Sequence, residues 1–224
     1  MIEVIVFAEG QSEEQFVKRV VSPALRNLQV FVKPQLLATS LHGQGGAVSF
    51  DRLKFNARNT LRQKPESVLT TFLDLYGLDT SFPSFMEAAR KPNVFSQVTC
   101  LESALHQAIV SHVGCRADRF IAHIQPYEFE GLLFSDVKAL CNTEPEWGEY
   151  VEALDEVRKS VESPEHINNG FETKPSRRLE KLLEPKYKKT RHAPLAAEKV
   201  TLAVMEAQCA HFHEWMSKLR ALAR

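Results

Sequence analysis

No stretch of this 224-residue chain approaches the ~20 consecutive apolar residues that a membrane-spanning helix needs. Its first residues lack the basic-then-apolar order of a secretory leader. Cysteine is scarce and scattered: Cys100, Cys115, Cys141 and Cys209 show no CxxC spacing. That argues against a disulfide framework and a zinc knuckle, and fits a reducing cytoplasm. Net charge is absent too, because 28 Lys and Arg balance 28 Asp and Glu. A globally basic nucleic-acid binder is not indicated, although a local basic patch stays open. There is no internal repeat. The expectation is a cytoplasmic protein with no membrane contact.

What is present is ordinary globular material, with 44% apolar and 25% charged residues, enough to bury a core at this length. The apolar run Val4 to Ala8 stops at Glu9, and Ile2 to Phe7, rich in β-branched residues, reads as a strand buried on both faces. Ser12, with Gln15 three residues on, reads as a helix N-cap and capping box. Phe16, Val20, Ala24, Leu25 and Leu28 continue that helix, which Pro23 should kink or restart. Val30 to Ala38 reads as a second strand, placed at a sheet edge by Pro34. After a glycine-rich loop, Phe50, Leu53, Ala57 and Leu61 share one helix face. Val68 to Leu73 is a third buried strand. Val98 to Val113 is a helix, and Arg119 to Gln125 a fourth strand. The remainder is mostly helical, with the longest helix expected over residues 195–222.

Alternating strands and helices predict an α/β fold with a mainly parallel central sheet flanked by helices. The expected division is an α/β domain over 1–140 and a helical extension over 141–224 packed on it, or one domain comprising both.

Three of the four strands run into acid. The first ends at Glu9 and the third at Asp74, while Glu128 and Glu130 follow the fourth. In a parallel sheet these residues meet at one edge, where ligands collect. Glu13, one helical turn past Glu9, can point back over the same edge. Clustered carboxylates repel and raise one another's pKa, and a divalent cation removes that cost. The pattern therefore predicts a Mg2+ or Mn2+ site and a phosphate-bearing substrate.

Taken singly, each acid has a local explanation. Glu13 and Glu14 suit the first turn of a helix, Asp74 suits an Asx-turn, and Glu128 and Glu130 suit solvent. Glu9 has none, because an acid ending so apolar a strand does no local structural work. Other candidates are weaker. The loop His42 to Gly46 lacks the lysine and spacing of a P-loop. Cys209, His211, His213 and His123 read as core or surface residues. Residues 144–165 hold eight acids, and residues 174–191 hold eight bases around Tyr187. The acids read as a solvated face. The bases suffice to hold a phosphate backbone, with Tyr187 as a stacking group.

"FAEGQSEEQF" and "FLDLYGLD" resemble the two acidic motifs of the Toprim fold, the first in the version of the OLD-family nucleases. More specifically, "AEGQSEE", "FLDLYGLD", "IQPYEFEGLLFSD", "SPEHINNGFETKPSRRL" and "CAHFHEWMSKL" resemble the DUF4276 family over nearly the full length. The resemblance implies a Toprim-like fold, a metal-dependent nuclease, and a role beside an ATPase partner in bacterial anti-phage or mobile-element systems. It implies Glu9 and Glu13 as metal ligands or acid–base groups, Asp74 as a metal ligand, and Glu128 and Glu130 as the later acidic motif. Lys189 would neutralise charge on the transferring phosphate. One position departs from the pattern: Tyr76 stands where the second Toprim aspartate is usual, and Asp79 lies too far along to replace it.

The leading expectation is therefore a metal-dependent nuclease acting on DNA or RNA. Glu9, Asp74 and Glu130 would hold Mg2+ or Mn2+. Glu13 or Glu128 would orient or deprotonate water, and the basic block would grip the backbone. The alternatives are a non-catalytic partner subunit of an ATPase and, less favoured, a phosphoacceptor domain. The oligomeric state, a homo-oligomer included, stays open.

Overall fold

The computed structural model describes residues 1–37, 48–168 and 170–223. Strand β1 (Ile2–Ala8) lies between β2 (Val30–Leu36) and β3 (Val68–Asp74). The short strands β4 (Phe120–Ile121) and β5 (Ile124–Gln125) pair with the far side of β3, and every pairing is parallel. The fourth strand predicted over residues 119–125 is thus interrupted at Ala122 and His123. The Thr71 hydroxyl bridges the gap, donating to the His123 carbonyl and accepting from the His123 N–H, both at 2.9 Å. The register carries on unchanged, with Leu69 opposite Phe120 and Leu73 opposite Ile124. As Pro34 implied, β2 is an edge strand.

Side-chain alternation splits the core in two. Ile5, Phe7, Leu69 and Leu73 face α3 (Phe50–Gln63) and α5 (Val94–Val113). The short α4 (Phe85–Ala88) packs on α5. Val4, Val6, Val68 and Phe72 face the other way. There they meet α1 (Gln11–Phe16), a π-helical turn (Val17–Val21) and α2 (Ser22–Arg26). The wide turn precedes Pro23, which has no N–H to offer an α-helical ladder. Residues 129–135 and the helices α6 (Val137–Cys141), α7 (Val151–Lys159) and α8 (Pro175–Leu182) follow. With α9 (Lys189–Val200), α10 (Leu202–Gln208) and α11 (Ala210–Arg220), they extend this second core. Val4 and Val6 belong to the same apolar cluster as Phe212, Trp215 and Leu219.

Two local expectations are corrected. Ser12 is not the N-cap. The helix starts at Gln11 behind Gly10, no side chain caps it, and Ser12 is buried in its first turn. The expected long C-terminal helix is three helices, broken at Thr201, whose φ is 71°, and at Cys209. The longest is α5, with 20 residues. Helical periodicity does not reveal such breaks, because buried residues recur at near-helical spacing on both sides of them. Glu165 secures the second break. Its carboxylate accepts the N–H groups of His211 and Phe212, each at 3.0 Å, where α11 begins. An anion there meets both the orphan donors and the helix dipole. The glycine-rich loop His42 to Gly46 and the end of the second predicted strand, Ala38, lie outside the described residues.

Candidate metal and phosphate site

The chain goes from β1 to β2 over one face, then returns to β3 on the other side of β1 through α3 on the opposite face. The carboxyl ends of β1 and β3 therefore flank the point where the winding reverses, the place where an open α/β sheet forms a crevice. Glu9 and Asp74 sit at those two ends. The Asp74 N–H donates to Glu9 Oε2 at 3.4 Å across the crevice.

Glu13 turns back from the first turn of α1 and is only 2% exposed. Gly10 makes this fold-back possible, since a Cβ there would sit 2.6 Å from Glu13 Oε2. A Gly10→Ala variant should therefore keep its fold, at a cost of about 1 kcal/mol or less, because a flexible side chain can yield. It should weaken Mn2+ binding by about tenfold, because the carboxylate that yields is Glu13. Calorimetric titration beside thermal melting checks both. Equal metal affinity in variant and wild type would remove Glu13 from the site.

After β5 the chain bends through Tyr127, whose φ of 56° is rare for a bulky residue. The bend aims Glu128 and Glu130 into the crevice. Glu128 is tied down by Lys174 Nζ at 2.6 Å, by the Ser176 hydroxyl at 3.1 Å and by the Ser176 N–H at 3.0 Å. Glu130 is fully buried and meets the Tyr187 hydroxyl at 3.4 Å. Asp74 Oδ1 accepts the Phe129 N–H at 2.8 Å. Lys189, the first residue of α9, reaches into the centre. Its ammonium lies 3.2 Å from Glu130, 3.3 Å from Glu13 and 3.7 Å from Asp74.

The six predicted residues, Glu9, Glu13, Asp74, Glu128, Glu130 and Lys189, thus converge. One oxygen each from Asp74, Glu128 and Glu130 lie within 4.8 Å of one another, a spacing a metal ion could bridge; Glu9 and Glu13 are not in that group. Five carboxylates face two ammonium groups, Lys174 and Lys189. The imbalance is visible in their protonation. Burial, then Glu13 and Glu128, push Glu9 up to about 7. Burial, with Glu128 and Glu13 adding to it, takes Glu130 to about 7. Asp74 is raised well above the usual carboxylate range by burial and then by Glu13 and Glu9. Burial works against the Lys189 charge, but Glu130, Asp74 and Glu13 outweigh it and hold the ammonium firmly charged.

Glu13 Oε1 and Glu130 Oε2 are buried with no hydrogen-bond partner among the described residues. The Lys189 ammonium lies 3.3 and 3.2 Å from these same two oxygens and serves both at once. Buried oxygens without an aligned hydrogen bond are costly, and a divalent cation would give this cluster the charge that one shared ammonium lacks.

A second group, Glu102, His123 and His211, also has metal-like spacing. It differs in being satisfied. Glu102 Oε1 takes the Ile124 N–H at 2.7 Å and His211 Nε2 at 2.8 Å. The His123 ring stacks on Trp215 at 4.9 Å, and burial holds it neutral. Trp215 in turn donates to Thr70 at 2.9 Å. This network ties α5 and α11 to the sheet.

A family model described as "Domain of unknown function (DUF4276)" matches residues 8–220. The chain belongs to the DUF4276 family. No curated protein and no solved structure matches it significantly.

In this DUF4276 protein the basic block is less available than its composition suggests. Lys174 is held by Glu128, Arg177 by Glu180, Lys181 by Glu172 and Arg191 by Glu144. Tyr187, expected to stack on a ligand, is instead buried under the acids. Lys186 and Lys188 stay exposed, with no side-chain partner among the described residues. Tyr76 does not supply a carboxylate; its ring carries Lys174 Nζ at 4.3 Å. The sequence reading missed Lys174 and Ser176 as the clamp on Glu128. The "KPSRRL" motif contained both, but pointed to charge alone.

Among the described residues no helix is long and apolar enough to cross a membrane.

Proposed function

We propose that this protein is a Mg2+- or Mn2+-dependent phosphodiester hydrolase acting on nucleic acid, with the sheet-edge crevice as its active site. The supporting observation is the convergence of five carboxylates on two ammonium groups, in which the buried oxygens Glu13 Oε1 and Glu130 Oε2 have only the Lys189 ammonium nearby, at 3.3 and 3.2 Å. Asp74 and Glu130 would hold the ion with Glu13. Bound there, the ion would stabilise charge on a phosphate oxygen and acidify a water. Glu9, half-buried and titrating near neutrality, suits proton transfer with that water. Glu128, pinned by Lys174 and Ser176, positions the segment that carries Glu130. Lys189 offsets the negative charge that grows on the transferring phosphate. Lys186 and Lys188 would hold the flanking backbone. The Toprim resemblance fits this reading and adds an ATPase partner in an anti-phage or mobile-element setting.

The competing reading is a non-catalytic subunit of such an ATPase, in which Lys189 alone neutralises the acids. Its short distances to three carboxylates favour it. Melting temperature followed against Mg2+ and Mn2+ separates the two, since a ligand of the native state raises it. The hydrolase reading expects a saturable rise, together with cleavage of plasmid, single-stranded DNA or RNA. No shift with either ion and no cleavage, with and without a neighbouring ATPase, would overturn it.

A further inference from the structure

A cavity of about 260 Å³ lies among the residues that directly follow Asp74 and precede Glu128. Its walls include Leu75, Tyr76, Phe85, Gln97, Tyr127 and Asn168, and no charged side chain lines it. We propose that it is a nucleobase-binding subsite that takes one unpaired base of the substrate strand. This deepens the hydrolase reading and rests on it for the identity of the strand.

Four observations converge. First, the position is close to the acids. Leu75 and Tyr76 continue directly from Asp74, and Tyr127 immediately precedes Glu128. Tyr76 also carries Lys174, the residue that clamps Glu128 at 2.6 Å. Second, the size is below the ~300–1,000 Å³ of pockets that enclose a drug-sized ligand, and suits one ring system. Third, the lining has the chemistry of base recognition. Tyrosine rings offer sequence-tolerant stacking, and side-chain amides read base edges. Gln97 and Asn168 are half-buried, and their amide nitrogens have no partner among the described residues. Fourth, the two tyrosines are held in place. The Tyr76 N–H donates to the Tyr127 carbonyl at 2.7 Å, and Tyr127 keeps its left-handed backbone. Strain of that kind persists where the surroundings enforce it, often at ligand clamps.

A paired base cannot enter such a cavity without leaving its stack. Single strands, loops or frayed ends are therefore the favoured substrates over continuous duplex.

The test measures binding apart from cleavage. Full-length protein in chelator is titrated with the four nucleoside monophosphates, and with ribose 5-phosphate as the abasic control, using saturation-transfer NMR. Nucleotides should bind and ribose 5-phosphate should not. Ala89→Trp, at an exposed position on the cavity wall, should weaken binding by about tenfold or more. Gln97→Ala should compress the differences among the four bases while leaving the melting temperature alone. Mn2+-dependent cleavage of single strands with and without an abasic site near the cut completes the set. Nucleotide binding without cleavage would keep the subsite and remove the hydrolase. Cleavage indifferent to the abasic site, with no nucleotide binding or with binding unchanged in both variants, would overturn the subsite and leave the hydrolase.

Discussion

Lys189→Met is expected to destabilise the metal-free protein by about 3 kcal/mol at pH 8. Removing one partner from a buried charge cluster typically costs about 3–5 kcal/mol. The lower end applies because the Lys189 side chain is 36% exposed and its charge is partly screened by water. The loss should depend on pH in a defined sense. Glu9 and Glu130 titrate near 7 when folded, above the ordinary 4.5 of a glutamate. The folded state therefore binds more protons than the unfolded state between about pH 4.5 and 7. Stability must fall as pH rises through that window. Lys189 lowers both pKa values, so its removal extends the window upward. The variant should regain stability steeply as pH drops from 8 to 6, and should also be rescued by Mn2+. Urea unfolding at a series of pH values, with and without Mn2+, measures this. A variant with wild-type stability at pH 8 would show that the ammonium is not the main counter-charge.

The second large effect is a separation of stability from activity. Asp74→Asn keeps the oxygen that accepts the Phe129 N–H and deletes one of the mutually repelling charges. Metal-free stability should hold or rise by about 1 kcal/mol, as expected where a functional site carries electrostatic strain. Metal-dependent cleavage should fall by about 10²-fold or more, in line with the loss of a preorganised electrostatic contact at a reacting group. The Mn2+-induced rise in melting temperature should shrink with it. An Asp74→Asn variant that melts like wild type and responds equally to Mn2+ would leave Asp74 as a structural acceptor only.

The acids at the strand ends were legible because two periodicities met there. An unbroken apolar run marks a doubly buried strand, and its last residue has to lie at the sheet edge. Parallel topology then gathers residues from positions 9, 74 and 130 without any contact being known. The counter-charges were harder to see. Lys174 and Ser176 reach Glu128 from the start of α8, 46 to 48 residues away, and no local pattern encodes that contact. The pairing of Glu102 with His211 spans 109 residues and was likewise hidden. Ser12 misled because the sequence signature of a capping box says nothing of burial. Gly10 had already turned the chain two residues earlier, leaving Ser12 inside. The basic block misled because composition counts charges without showing which neighbours neutralise them.

Pro34 on the edge strand also bears on how copies of this protein can meet. An open sheet edge ordinarily invites another strand to continue the hydrogen-bond ladder, and with it uncontrolled polymerisation. A ring nitrogen without hydrogen interrupts that ladder midway along β2. Beside it, the Lys33 side chain is occupied with Glu3 at 2.6 Å. Across the sheet, the strands that flank β3 are two residues long each and offer little template. Among the described residues, then, the sheet offers a second copy little to extend at either side, and self-association would favour other faces.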